Sequence, residues 1–252
     1  MPVAMITGAS KGFGRALAAA LAARGWDLVL DARSAGPLRD TARELEKAQG
    51  TARDREQAQG TAREPEGRHA RVRAIAGDVT DAGHRGALVA AARELGGLDL
   101  LVNNASALGA EPLVRLGELS LDGVREAFET NVVAALGLVR EALPLLRAAE
   151  AGAVVNLSSD AAVEAYETWG GYGASKAALD QLSAVLAVEE PRLRVWAVDP
   201  GDMRTDLYRA AVPLDDMSGR PLPESVVPAF LRLLDSRPAS GRYAASELGV
   251  AL

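Results

Sequence analysis

The chain's 252 residues include no cysteine, which excludes a disulfide framework, a thiolate nucleophile and a cysteine-based zinc site. Histidine is scarce too. His69 and His84 stand among charged or loop-forming neighbours, and each reads as a solvated surface side chain. No metal site is therefore expected. No apolar run approaches the roughly 18 residues that span a bilayer, so no membrane partner is expected. Positive charge is in deficit: 28 Lys and Arg against 34 Asp and Glu leave a net charge of −6, which disfavours a nucleic-acid partner. A local cluster of bases can still hold a phosphorylated cofactor. The first apolar run begins at Val3 with no signal-peptide pattern before it, and the expectation is a cytoplasmic protein.

What is present is a regular alternation. Short apolar runs at 3–6, 28–31, 72–77, 98–104, 153–159 and 193–201 are separated by Ala/Leu-rich helical segments such as 14–25. Strands apolar throughout and spaced by helices imply a parallel sheet covered on both faces. The expected architecture is α/β: a single-domain Rossmann fold over 1–252, a doubly wound, mostly parallel sheet with helices on both faces. "RYAA" (242–245) could add a short last strand. One segment breaks the pattern. In 41–70 the triplet Thr-Ala-Arg recurs at 41, 51 and 61, too polar to form a core. Gly50 and Gly60 would each weaken a helix by roughly 1 kcal/mol, and Pro65 should stop one. The segment reads as a tandem duplication lengthening a surface connection.

Five motifs carry chemistry. "MITGASKGFGRAL" (5–17) runs from a strand through Gly8, Gly12 and Gly14 into a helix, the setting in which backbone N–H groups meet a pyrophosphate. "GDVTD" (77–81), "NNAS" (103–106) and "DPGDMRTD" (199–206) follow later strands. In "NLSSDAAVEAYETWGGYGASKAALD" (156–180), Tyr172 and Lys176 lie four apart, on one face of a helix. A neighbouring ammonium favours the phenolate, and the tuned phenol could then exchange a proton near neutral pH. Ser159 closes the preceding strand and could donate to a substrate oxygen. Ser158 should face the other way and serve structure. Tyr166 has Gly170 where Tyr172 has its lysine, and reads as a loop aromatic at the pocket mouth.

These motifs, in this order, resemble the short-chain dehydrogenase/reductase family over residues 3 to about 207, with Ser106 in place of the usual glycine. Stretches such as "GASKGFGR" and "LAVEEPRLRV" are similar to sepiapterin reductases within it, without implying a pterin substrate. The resemblance implies hydride transfer between a nicotinamide and a carbonyl or alcohol carbon, with Asn131, Ser159, Tyr172 and Lys176 as the catalytic set. Asn131 would hold a water linking Lys176 to solvent. The cofactor would be held by Gly8, Ser10, Lys11, Gly12, Phe13 and Gly14, then Asp78 and Val79 at the adenine. Asn104, Ala105, Ser106, Tyr172, Lys176, Pro200, Gly201 and Thr205 would hold its middle and nicotinamide end.

The resemblance also orders the charges in "LVLDARSAG" (28–36). The position whose acid selects NAD falls on Ala32, which leaves Asp31 a bystander. Arg33 stands where NADP-preferring members carry a base, and Lys11 would reach the same 2′-phosphate. NADP(H) is the expected cofactor. Residues 202–225 are expected to form a lid over a substrate pocket, with Trp169 and Tyr166 at the opposite rim. Apolar walls with few charges would suit a small apolar or aromatic ketone or aldehyde. A homodimer or homotetramer is the family expectation; the chain lacks the glycine-rich tail that commonly helps form the tetramer. The competing class is a non-catalytic dinucleotide-binding redox sensor, which has no need of Ser159, Tyr172 and Lys176 together. Arg33→Asp or Lys11→Ala is expected to lower the NADPH/NADH ratio of kcat/KM; an unchanged ratio in steady-state kinetics would count against this register.

Overall fold

The computed structural model describes residues 1–58 and 70–248, with side chains for all of these except 49–58. Seven strands form one sheet in the order β3-β2-β1-β4-β5-β6-β7. They are β1 (Val3–Ile6), β2 (Asp27–Ala32), β3 (Val72–Ala76), β4 (Leu100–Asn103), β5 (Ala153–Leu157), β6 (Arg194–Asp199) and β7 (Gly241–Ala244). Every pairing is parallel, so the sheet is wholly rather than mostly parallel, and β7 supplies the short final strand.

Alternate residues of each central strand feed two separate cores. Ala4 and Ile6 of β1 face a layer built from Leu17 of α1 (Gly12–Ala23), Leu38 and Leu45 of α2 (Ala35–Ala58), and Phe230 and Leu233 of a later helix, 223–236. Val3 and Met5 face the opposite layer, with Leu88 and Leu95 of α3 (Ala82–Leu95) and Leu138 and Leu146 from residues 135–148. Helices on both faces are the reason these strands are predominantly apolar on both faces rather than alternating. The remaining helices are α4 (Leu121–Phe128), α5 (Ala135–Ala148), α6 (Gly170–Glu189), α7 (Asp206–Ala211) and α8 (Pro223–Ser236). A π-helical turn, Glu129–Ala134, joins α4 to α5.

The Thr-Ala-Arg repeats depart from expectation in one respect. α2 continues to Ala58, so its backbone passes through Gly50 without a break. The cost of one glycine is small beside the helix it interrupts. Gly60, Pro65, His69 and the third repeat lie outside the described residues.

The chain leaves β1 toward β2 and β3, then returns to the other side of β1 at β4. The loops after β1 and β4 therefore diverge, and a cleft opens at the C-terminal ends of the strands. One wall is fixed from below: Phe13, in the first turn of α1, packs on Phe230 of α8 with ring centroids 4.4 Å apart. Phe230→Ala should cost about 3–5 kcal/mol of stability, read from urea unfolding. Phe13 also lines the cleft, so the same variant loosens one of its walls.

Candidate active site

The cleft has a volume of about 270 Å³ and is built from the loops after β1 to β6. Gly8, Ser10, Lys11, Gly12 and Phe13 line its floor. Gly8 and Gly12 adopt φ of +65° and +55°, conformations that other residues enter only with strain. Lys11 occupies the N-cap of α1 without a side-chain cap, and the first turn has no acidic residue, so backbone N–H groups there remain available to an anion. Gly14 is not part of the wall. Its role is clearance: a Cβ there would stand 2.6 Å from Asn104 Nδ2 and 2.7 Å from the Gly8 carbonyl.

Arg33, Asp78 and Val79 line one end of the cleft, as expected. Among the described residues Arg33 makes no hydrogen bond or ion pair, which leaves its guanidinium open to a phosphate. Lys11 is in the wall too, but its ammonium is engaged across the mouth, 3.0 Å from Asp206 Oδ2 at the start of α7. The expected pair of free bases is thus one free base and one tethered one. Asp31, set aside as a bystander, also lines the cleft and pairs with His84, Nε2 to Oδ1 2.6 Å. His84 is therefore not a solvated surface side chain; the fold buries it against Gly77. Burial raises the Asp31 pKa above its ordinary value, against the hydrogen bonds from His84 and from the Gly8 amide.

Asn104, Ala105 and Ser106 form the wall opposite the glycine turn. Asn104 spends its amide on the Thr7 and Gly8 carbonyls at 2.7 and 3.2 Å. Asn131 sits behind this loop in the π turn and lines neither cavity. Its Nδ2 donates to the Ala107 carbonyl and to Ser175 Oγ, and its Oδ1 accepts from Ala107 N and Ser106 Oγ. Those bonds exhaust the side chain's capacity. It clamps the loop to α6 and has no side-chain arm left for a water.

Tyr172 and Lys176 share one face of α6 and both are buried, at 7 and 2% exposure. Lys176 Nζ lies 5.4 Å from the centre of the Tyr172 ring and donates to the Leu157 carbonyl at 2.8 Å. Burial lowers its pKa to about 8. The expected lowering of the Tyr172 pKa by Lys176 does not occur in this structure. Burial drives it well above the ordinary phenol value, and the charges of Asp199, Asp160 and Asp202 push the same way; a hydrogen bond with Ser106 opposes them. The phenol is thus held protonated.

Ser159 lies outside the main cleft, in an adjoining cavity of about 80 Å³ that shares Tyr172, Thr205, Pro200 and Leu207 with it. Its Oγ donates to Asp160 Oδ1 at 3.0 Å and accepts from Ala161 N at 3.2 Å. Ser158 lines both cavities while donating to Asp180 Oδ2 at 2.8 Å, so its structural role and its place in the wall coexist. Gly201 belongs to the small cavity, and Thr205 caps α7 by accepting from Tyr208 N. Trp169 stands edge-on to Tyr172 and near Tyr208, whereas Tyr166 lines neither cavity and donates to Asp160 and Glu164. The wall also carries Asp160, Asp199 and Asp202, more charge than the sequence led us to expect. Local periodicity gives no sign of these carboxylates, because they arrive from two separate loops.

Comparison with known proteins fits this geometry. The family model described as short chain dehydrogenase matches residues 2–53 and 47–214, two segments that meet inside the Thr-Ala-Arg repeats. A sepiapterin reductase of Meriones unguiculatus is 38% identical over 222 residues, covering 83% of this chain and 77% of the relative. An uncharacterized oxidoreductase of Escherichia coli strain K12, YciK, is 29% identical over 242 residues, covering 95% of this chain and 89% of the relative. A short chain dehydrogenase structure from Shigella flexneri 2a strain 301, complexed with NADP, is similar with a TM-score of 0.84 at 27% identity, covering 97% of each chain.

The buried lysine gives a signed pH effect. Its folded pKa lies near 8 and its unfolded value near 10.5, so between these limits the unfolded state binds more protons and stability rises with pH. Tyr172 acts only above its unfolded value of 10, and in the opposite sense. The unfolding free energy of the wild type relative to Lys176→Met should therefore climb as pH passes from 8 toward 10; a flat difference in urea titrations would overturn this account.

Proposed function

Because the chain belongs to the short-chain dehydrogenase family, we propose that this oxidoreductase is an NADP(H)-dependent carbonyl reductase for a small aromatic or apolar ketone or aldehyde. The observation that carries the reading is the position of Tyr172, which lines both the main cleft and the small cavity containing Ser159. The residues present fit the cofactor. The uncapped N-terminus of α1 would take the pyrophosphate and Arg33 the 2′-phosphate. Asp78 and Val79 would border the adenine, with Lys176 at the nicotinamide ribose and Thr205 at the carboxamide. When bound, the dinucleotide supplies the hydride chemistry.

The chain's own residues manage the oxygen of the substrate. Tyr172, a phenol protonated at neutral pH that lines both cavities, would give its proton to the carbonyl oxygen during reduction. Ser159, by turning its hydroxyl from Asp160, would donate a second hydrogen bond to the same oxygen. Trp169, Tyr208, Met203 and Leu207 supply the apolar faces of the small cavity. Residues 202–225 would serve as its lid, tied to the glycine turn through Lys11 and Asp206 and braced by Arg220 on Asp202 and Asp215. The solved relative's NADP and the sepiapterin reductases' identity with this chain support the same reading. It extends to a cytoplasmic homodimer or homotetramer.

Tyr172→Phe should lower kcat/KM for ketone reduction by about a hundredfold to ten-thousandfold. The Kd for NADPH, from its fluorescence on binding, should stay within about twofold because only a hydroxyl is removed. Near-native turnover would remove Tyr172 from the mechanism.

A further inference from the structure

The adenosine end of the cleft is electrostatically awkward for a 2′-phosphate. Arg33 lines it, but so do the acidic residues Asp31 and Asp78. Like charges at this range repel, the more so where protein replaces water. Asp31 lies between the cleft and a second group that does not itself line the cleft. His84, in the first turn of α3, reaches under the end of β3 and places Nε2 2.6 Å from Asp31 Oδ1. The ring and the carboxylate are 9 and 2% exposed.

The approach is built rather than incidental. A Cβ on Gly77 would stand 2.2 Å from His84 Nδ1, so the ring occupies space that only glycine leaves open. The start of α3 is anchored independently, with the His84 amide donating to the Asp81 side chain at 2.6 Å. Asp31 also takes the backbone N–H of Gly8, which links the pair to the glycine turn.

We propose that His84 is a positioning residue for cofactor choice, holding the Asp31 carboxylate and its charge back from the 2′-phosphate so that Arg33 dominates that end of the cleft. This rests on the NADP(H) reading above. Without the imidazole, Asp31 is an unpaired carboxylate in the wall, free to accept from ribose hydroxyls and repellent to a phosphate. The Asp at the end of β2 is then a latent NAD determinant, silenced from behind.

The test uses dissociation constants of NADPH and NADH for the full chain, from nucleotide fluorescence. The wild type should prefer NADPH. His84→Ala and His84→Leu, neither of which can hold the carboxylate, should weaken NADPH about tenfold or more while NADH holds or tightens, and adding Asp31→Asn to His84→Ala should restore most of the NADPH affinity. A role in folding alone would weaken both nucleotides together and would not be rescued by Asp31→Asn; that pattern overturns the proposal. So does a preference unchanged in both His84 variants. If the wild type itself favours NADH, the NADP(H) reading fails first and this inference with it, whereas a wild-type NADPH preference that His84 does not affect defeats the inference alone.

Discussion

The site depends on a stitch between β1 and β4, the two strands at which the sheet's order reverses. Thr7 Oγ1 accepts the backbone N–H groups of Asn104 and Ala105, each at 2.9 Å, and Asn104 returns its amide to the carbonyls of Thr7 and Gly8. Diverging loops at a switch point leave buried polar groups that must find partners, and one threonine and one asparagine satisfy them reciprocally. The stitch draws Asn104 so close to Gly8 and Gly14 that neither can carry a side chain. Two of the three motif glycines thus answer to the opposite loop as much as to a phosphate.

From that stitch the order propagates by hydrogen bonds. The loop continues through Ser106 and Ala107 to Asn131, whose π turn lets one amide reach both the loop and Ser175 on α6. A second relay runs from Asn103 to Asn156 and on to Ser183, again ending on α6. Tyr172 and Lys176 stand on a helix fixed from two sides by buried amides. Buried networks of this kind rigidify only when every member is paired, and these are. Rigid placement matters because the proposed chemistry would need a phenol, a hydroxyl and an ammonium in fixed relation.

The electrostatics of the site follow from its dryness and from distant charges. A helix-face argument brings Lys176 beside Tyr172 and suggests a lowered phenol pKa. In the folded chain the ammonium points to the Leu157 carbonyl, and burial with three carboxylates from the loops after β5 and β6 prevails. Burial disfavours the charged form of each group, so the lysine moves down and the tyrosine up. Each group is thereby held toward its neutral form, and the shift of balance comes from residues that no four-residue spacing includes.

Much of the fold was legible in the chain. Apolar runs marked the first six strands to within about two residues, because a strand covered on both faces is predominantly apolar rather than alternating. The glycine turn and the Tyr172–Lys176 pair were legible for the same reason: backbone conformation and helical periodicity are local. The other features were decided only by tertiary structure. His84 meets Asp31 across 53 residues of sequence, Lys11 meets Asp206 across 195, and Asp160, Asp199 and Asp202 converge from two loops. Charge on a side chain is written in the sequence; its partner, its burial and hence its effect are set by which loops the sheet order brings together.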